Sequence, residues 1–368
     1  MEITRVDELE MASDGDGHVH ANGHGIKEQA QHWVVGTRKS ELAMIQTRQV
    51  REALLKTGPP NLAIDILPMS TVGDKNLDVA LFKIGEKSLF TKELEVALYK
   101  GLCQFVVHSL KDLPTTLPEG MAIGAILKRE DARDAVVLKS TFAGHTLKDL
   151  PSGSIIGTSS VRRTAQLRRK FPHLVFQDVR GNLNTRLRKL DDPQGSYAAL
   201  ILAVAGLVRM GWSDRISETL EPDVCLHAVS QGALGVECKE DDEKTLQLLS
   251  VLNHYPTVWA CTAERALMRT LEGGCSVPIG VYTWYGEPSP SKSSTSNGHT
   301  STTTLYLKAV VCSVDGARAV EGQSSMVLPQ GNEAEQAKLL GEQVAHQMIQ
   351  AGAKSILDEL TKDRHHDD

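Results

Sequence analysis

Hydrophobic positions along this chain fall into short blocks of two kinds, and the two kinds alternate. Trp33-Val34-Val35-Gly36-Thr37 reads as a strand ending at a glycine. Ser40 then starts a helix whose apolar positions Leu42, Ile45, Val50, Ala53 and Leu54 form one broad face. Ile64–Met69 is a second strand, and Thr91 caps a predicted helix over Lys92–Tyr99. Phe105-Val106-Val107-His108-Ser109 is a nearly continuous apolar run, as expected of a buried parallel strand. Strand, helix, strand, helix is the signature of an α/β domain.

The pattern then restarts. Ile155-Ile156-Gly157-Thr158-Ser159-Ser160 has the form of Val34-Val35-Gly36-Thr37-Arg38-Lys39-Ser40: two β-branched residues, Gly-Thr, and a serine just before a helix. The second helix is predicted from Val161 to about Lys170, with strands at Leu174–Val179 and Ala198–Ala203. Two such lobes facing each other make a cleft. Each strand-to-helix turn would offer backbone N–H groups and a hydroxyl to an anion. From Thr257 the texture changes. Ala263–Glu272 reads as a helix stopped by Gly273-Gly274, residues 287–304 as a low-complexity Ser-rich loop, Leu305–Val314 as a strand and Glu333–Leu360 mainly as helix. This is a third, smaller α+β domain. Residues 1 to about 30 are polar and His-dotted and read as a disordered tail.

Composition narrows the class. A chain of 368 residues is too long for one core. The six cysteines include no C-x-x-C pair, which argues against a disulfide scaffold or structural zinc. The N-terminus lacks the apolar core of a secretory signal and is acidic and Arg-poor, unlike a transit peptide. No apolar run reaches the length of a membrane span. The expected location is the cytosol.

The net charge of −6 does not point to nucleic acid. Charge is unevenly spread, however. Between Thr158 and Leu190 stand Arg162, Arg163, Arg168, Arg169, Lys170, Arg180, Arg186, Arg188 and Lys189 against the single acid Asp178. A basic patch on an acidic protein suits a small polyanion, while Arg168, Arg169 and Lys170 also read as a solvated helix face.

Three segments could carry chemistry. In Val107–Pro114 charged residues stand directly at the carboxyl end of a buried strand, where open α/β sheets bind ligands. Asp112 is there a candidate acid/base or charge stabiliser and Lys111 an anion contact; a turn aspartate paired to its neighbouring lysine fits the same position. In Gly157–Arg163 two arginines occupy the first turn of a helix, where cations oppose the helix dipole, so a bound anion would explain both. Arg38, Arg180 and Arg186 could converge on the same cleft. In Leu271–Pro278, Cys275 sits in a loop between a flexible Gly-Gly pair and a rigid Val-Pro pair. The other five cysteines read as small buried hydrophobes.

Taken together these segments resemble the porphobilinogen deaminase (hydroxymethylbilane synthase) family. The matching runs, in order, are Val35–Ala43, Lys83–Glu95, His108–Pro114, Gly157–Arg163, Arg180–Arg186, Gln231–Glu237 and Leu271–Pro278. The resemblance implies two periplasmic-binding-protein-like lobes with mixed sheets plus a smaller α+β C-terminal domain. Domain 1 would hold residues 31–129 with 228–252, domain 2 residues 130–227 and domain 3 residues 253–368. It also implies a dipyrromethane cofactor on a thioether to Cys275 and a catalytic aspartate at Asp112. Carboxylates of cofactor and substrate would be held by Arg38, Ser40, Lys83, Lys111, Thr158, Ser159, Ser160, Arg162, Arg163, Arg180, Arg186 and Arg209. The implied reaction condenses four porphobilinogen molecules with loss of ammonia, then releases 1-hydroxymethylbilane by hydrolysis. No metal is required, no nucleic acid or membrane partner is expected, and the family favours a monomer. Two departures stand beside these motifs: Gln104-Phe105, where an Asp-containing run usually leads into the strand, and Ser230, where a glycine usually precedes Gln231.

Two other readings explain part of the pattern. A non-catalytic solute-binding protein of the same two-lobed form accounts for the anion turns but not for Cys275 or the third domain. A cysteine hydrolase needs a base near the thiol, which no local motif supplies.

Overall fold

The computed structural model describes residues 31–71, 91–271, 277–286 and 303–366. The expected tail and residues 287–302 of the Ser-rich loop lie outside the described residues; residues 303 and 304 already belong to a strand.

Three sheets organise the chain. The first joins β1 (Gln31–Arg38), β2 (Leu62–Met69), β3 (Phe105–Ser109), β4 (Met121–Ile126) and β10 (Leu234–Lys239) in the order β2-β1-β3-β10-β4. The second joins β5 (Asp134–Leu138), β6 (Ile155–Gly157), β7 (Val175–Gln177), β8 (Tyr197–Ala203) and β9 (Glu218–Leu220) in the order β7-β6-β8-β5-β9. In each lobe one strand is flanked by two parallel neighbours: β1 by β2 and β3, β6 by β7 and β8. The fourth strand of each row, β10 or β5, runs antiparallel. Those two are also the strands by which the chain enters the second lobe and returns to the first. The sheets are therefore mixed, and the internal repetition seen in the sequence is repetition of a whole lobe.

Helices α1 (Glu41–Thr57), α2 (Lys92–Tyr99) and α6 (Glu243–Ser250) serve the first lobe. Helices α3 (Val161–Lys170), α4 (Leu183–Asp191) and α5 (Val204–Arg209) serve the second. The buried face of α1 is turned from the one its aliphatic residues define: Ala43, Gln46, Thr47, Val50 and Leu54 are buried, while Leu42 and Ile45 are half-buried. The reason is polar. The Thr47 hydroxyl donates to Thr37 Oγ1 at 2.7 Å, and Gln46 Nε2 donates to Ser109 Oγ at 2.9 Å. The helix thus anchors the ends of β1 and β3, the two strands that deliver Arg38 and Asp112.

The third domain is a meander of β11 (Ile279–Gly286), β12 (Thr303–Cys312) and β13 (Ala319–Leu328) packed against α7 (Tyr255–Thr270), α8 (Glu333–Gln350) and α9 (Ala353–His366). On β12, Leu305, Leu307, Ala309 and Val311 point inward, as strand alternation requires. Strand β12 lies two residues earlier than the sequence reading, β7 is shorter, and two helix boundaries also differ. Helix α7 begins at Tyr255 and not Ala263, because His254 accepts the Thr257 N–H and Pro256 fits the first turn. The C-terminal helix is two helices, broken at Gly352, whose φ of 97° is left-handed.

A buried polar knot ties the three sheets together. Arg129, on the first linker between the lobes, makes a two-pronged ion pair with Glu264 of α7, both N–O distances 2.7 Å. Its Nε donates to the Gln231 carbonyl on the second linker. Glu264 also accepts the Ser230 N–H and the Thr283 hydroxyl, each at 2.7 Å. Burial disfavours the ionised carboxylate, but Arg129 overrides it and holds the Glu264 pKa down at about 2. The two linkers bond to each other as well, Glu130 N–H to the Gly232 carbonyl. Gly232 has φ 89°, and a Cβ there would meet the Glu130 oxygen at 2.4 Å, so the crossing admits only glycine. Ser230, two residues before it, adopts φ 62° in a fully buried place, a conformation that glycine takes without strain. The other departure, Gln104, is absorbed by a bond: its side-chain oxygen accepts the Val34 N–H at 2.8 Å.

Candidate active site

The end of β3 leads into a single 3-10 turn, Leu110–Asp112, terminated by Pro114. Leu110 is fully buried, which pins the turn, and Asp112 is exposed at its tip. Lys111 is half-buried and its ammonium donates to Gln231 Oε1 at 3.3 Å. The Gln231 amide in turn donates to Asp134 Oδ1 at 2.8 Å. Asp134, the first residue of β5, is wholly buried and receives both Arg162, at 2.8 Å, and Arg163, at 2.7 Å. A hydrogen-bonded line Lys111–Gln231–Asp134–Arg163 therefore crosses from one lobe to the other.

This line changes the reason for the paired arginines. The anion that explains two cations in the first turn of α3 is Asp134 of the chain itself. Burial would raise the Asp134 pKa, but Arg162 and Arg163 hold it far below the carboxylate range. Arg162 also donates to the Leu226 carbonyl and Arg163 to the Ile201 carbonyl. Each Nε remains buried with no hydrogen-bond partner among the described residues.

The turn before α3 is held from within. Thr158 N–H donates to the Gln177 carbonyl, the Ser159 hydroxyl to the Val179 carbonyl at 2.6 Å, and Ser160 Oγ accepts the Arg163 N–H as an N-cap. At the equivalent place in the first lobe, Ser40 makes no cap bond through its side chain. Arg38 is half-buried at the end of β1. Arg180 pairs with Asp178 at 2.7 Å. Arg186 donates to the Gly181 carbonyl at 2.8 Å, and Arg209 reaches from α5 to the Gly232 carbonyl at 2.6 Å, so it braces the linker crossing. Arg168 and Arg169 are more than a solvated face: they donate to the carbonyls of Val314 and Gly316 and dock the third domain on α3. Lys83 and Cys275 lie outside the described residues.

Three cations here are shifted by burial. Burial pushes the Lys111 pKa down to about 8, opposed in part by Asp112. Burial and then Arg163 push Arg186 down to about 10, again opposed by Asp112. Burial lowers Arg209 too. Asp112 opposes the effect of burial on both Lys111, in the first lobe, and Arg186, in the second.

The described cysteines are all buried free thiols. Burial pushes Cys103, Cys261 and Cys312 up to about 11, and Cys225 and Cys238 up to about 12. None is poised as a nucleophile. Asp134, Gln231, Arg129 and Glu264 are functional neighbours that sequence reasoning missed. Only Gln231 carried a signal, since it opens one of the matched runs.

Two mixed-sheet lobes are joined by crossed linkers, basic residues stand near the strand ends of both, and the third domain is locked against the linkers. Residues 33–247 match the family described as "Porphobilinogen deaminase, dipyromethane cofactor binding domain", and residues 258–350 match "Porphobilinogen deaminase, C-terminal domain". Porphobilinogen deaminase of Gloeobacter violaceus is 49% identical over 328 residues, 89% of this chain and 93% of that protein. The Synechococcus elongatus porphobilinogen deaminase is 50% identical over 326 residues, 89% of this chain and 94% of that protein. Among solved structures, a mutant of the OxyR2 regulatory domain from Vibrio vulnificus is similar at 16% identity and TM-score 0.37, covering 60% of this chain and 94% of that one. The chain belongs to the porphobilinogen deaminase family. It is a transferase of tetrapyrrole biosynthesis with a dipyrromethane cofactor: it condenses four porphobilinogens head to tail with loss of ammonia, and the linear tetrapyrrole 1-hydroxymethylbilane is released by hydrolysis. Among the described residues no helix is long and apolar enough to cross a membrane.

Proposed function

We propose that Asp112 is the catalytic carboxylate, that Cys275 carries the cofactor through a thioether, and that the cleft cations hold its acetates and propionates and those of the substrate. The observation that supports this reading is the exposed Asp112 at the end of β3, next to Lys111, which is joined through Gln231 and Asp134 to the arginines of the second lobe. When bound, the dipyrromethane supplies the free α-carbon at which the chain of added pyrroles starts. Lys111, Arg186 and Arg209, with Arg38, Arg180 and the turn Thr158-Ser159-Ser160, orient carboxylates. Arg162 and Arg163 serve through their buried Nε–H edges and through Asp134, which fixes them. The Asp112 carboxylate stabilises the positive charge that develops on the substrate pyrrole as ammonia leaves, and accepts or returns the ring proton. Lys83 and Ser40 complete the anion set.

The domain division that best accompanies this reading is 31–129 with 228–252, 130–227 and 253–368, supported by which strands share a sheet. The enzyme works as a cytoplasmic monomer on a small-molecule substrate, without nucleic acid or membrane.

Intact-protein mass spectrometry tests the attachment. Active protein should exceed its sequence mass by one dipyrromethane, mapped to Cys275, and substrate should add single-pyrrole steps. Cys275→Ala should show the bare mass and no turnover. Full activity without the added mass, or the mass found on Cys261, would refute it. Asp112→Asn should keep the cofactor and slow turnover by roughly 10²-fold or more; a loss under about threefold would reduce Asp112 to a turn residue.

A further inference from the structure

Two arginines of α7 reach out of the third domain to the segment that follows Asp112. Arg265 donates through Nη1 to the Leu113 carbonyl at 3.2 Å and through Nη2 to the Pro114 carbonyl. Arg269, one helical turn on, donates to the Thr115 carbonyl at 2.7 Å. Three successive carbonyls of the loop thus find donors on one face of one helix. Buried Leu110 and Leu113 hold the two sides of the turn, but past Leu113 the backbone has few bonds of its own. The 3-10 turn is three residues long, closed by the Leu113 N–H on the Leu110 carbonyl, and Pro114 brings no N–H. Arg265 is only 6% exposed, so its guanidinium is held stiffly and defines a position for the loop. The neighbouring residue on α7, Glu264, is locked into the hinge by Arg129. The same helix ends at Thr270, five residues before Cys275.

We infer that Arg265, assisted by Arg269, is a positioning residue of the reaction: it holds the Asp112 turn in register with the helix that leads to the cofactor-bearing cysteine. The inference rests on the roles proposed above for Asp112 and Cys275. It makes the third domain a structural part of the catalytic geometry as well as the carrier of the thiol. Lys111 shares the Asp112 turn, but Arg38, Arg180, Arg186 and Arg209 stand on other segments, so a displaced turn leaves most of the carboxylate-binding cations where they are. Loss of Arg265 is therefore read far more in turnover than in substrate affinity.

The site tolerates the test. Arg265 borders a cavity of 340 Å³ that also touches Ile123, Ile126, Val258 and Ala266. Truncation enlarges an open space that water can enter to solvate the freed carbonyls. Arg265→Ala, Asp112→Asn and the double variant are compared as holoenzymes, cofactor loading being verified by mass. Arg265→Ala should lower kcat by about 10²-fold with KM within about threefold, because a displacement near 1 Å is enough for such a loss. Arg265→Lys, which keeps one donor but not the fork, should recover part of it. The double variant should be no more than about threefold slower than Asp112→Asn alone, since Arg265 acts through Asp112. A combined loss equal to the product of the two single losses, or a rise in KM at unchanged kcat, overturns the inference while leaving Asp112 catalytic. A near-normal Asp112→Asn enzyme overturns the reading of Asp112 and this inference with it. If Arg265→Ala fails to fold, Arg269→Ala takes its place: a kcat loss of about 3–10-fold that vanishes in the Asp112→Asn background supports the inference, and one that persists there overturns it.

Discussion

Replacing Glu264 by glutamine removes one negative charge from the point where both linkers and the third domain meet, and the structure sets the size of the effect. The carboxylate is fully buried and takes four hydrogen bonds: two from Arg129, one from the Ser230 N–H and one from Thr283. Glutamine keeps one acceptor oxygen and turns the other position into a donor that faces donors. Arg129 is left as a buried cation without its counter-charge. Breaking a buried pair from one side costs about 3–5 kcal/mol, which for a chain of this size corresponds to a fall in Tm of about 4–7 °C. Removing both charges should be far milder: Arg129→Met with Glu264→Leu should recover more than half of the loss, because no orphan charge remains. The sign with pH is fixed by the depressed carboxylate. The pair's contribution is complete above the unfolded value near 4.5 and fades as pH falls towards about 2. His227, pushed down to about 4 by burial, acts in the same direction below its ordinary value near 6.5. Thermal unfolding of wild type, single and double variants at pH 7, repeated for wild type at pH 4, measures all of this. A Glu264→Gln protein within 2 °C of wild type, or a double variant no better than the single one, would show that the knot does not hold the domains.

Ser230→Gly should stabilise the protein by about 1–2 kcal/mol. It relieves a left-handed serine, less the added chain entropy of glycine and the contact of the hydroxyl with Cys261; a lower Tm would contradict this. The alkaline limb of kcat/KM should fall near pH 8, where free-enzyme Lys111 loses its charge, and should move to higher pH in Lys111→Arg; an unmoved limb assigns it elsewhere. Arg163→Leu should lose activity and also roughly 3 kcal/mol of stability, since Asp134 keeps only Arg162 as a charged partner. An inactive variant of unchanged stability would separate Arg163 from the fold.

How much of this protein could be read from its sequence depended on how far apart the interacting residues lie. Helix α3 over Val161–Lys170, α2 over Lys92–Tyr99 and β3 over Phe105–Ser109 were legible because period, cap and breaker all lie within a dozen residues of each other. So was the place of Asp112, where a buried strand meets a turn and a proline. The two strand-to-helix turns were visible as a repeat because backbone geometry there demands Gly-Thr and a serine locally. The alternation of Leu305–Val314 gave β12 for the same reason.

What the tertiary structure decided is who answers whom. Two arginines at a helix start call for an anion, and local sequence offers none; Asp134 supplies it from 29 positions away. Gln46 and Thr47 look like the solvent face of α1 until Ser109 and Thr37 are brought against them. Arg129 and Glu264 are 135 residues apart, and Arg265 and Pro114 are 151 apart. A charge or a carbonyl declares in sequence that it needs a partner, because leaving it buried and unpaired is costly. Which partner arrives is fixed only when the lobes close and the third domain docks, since that pairing depends on distances through space that the order of residues does not encode.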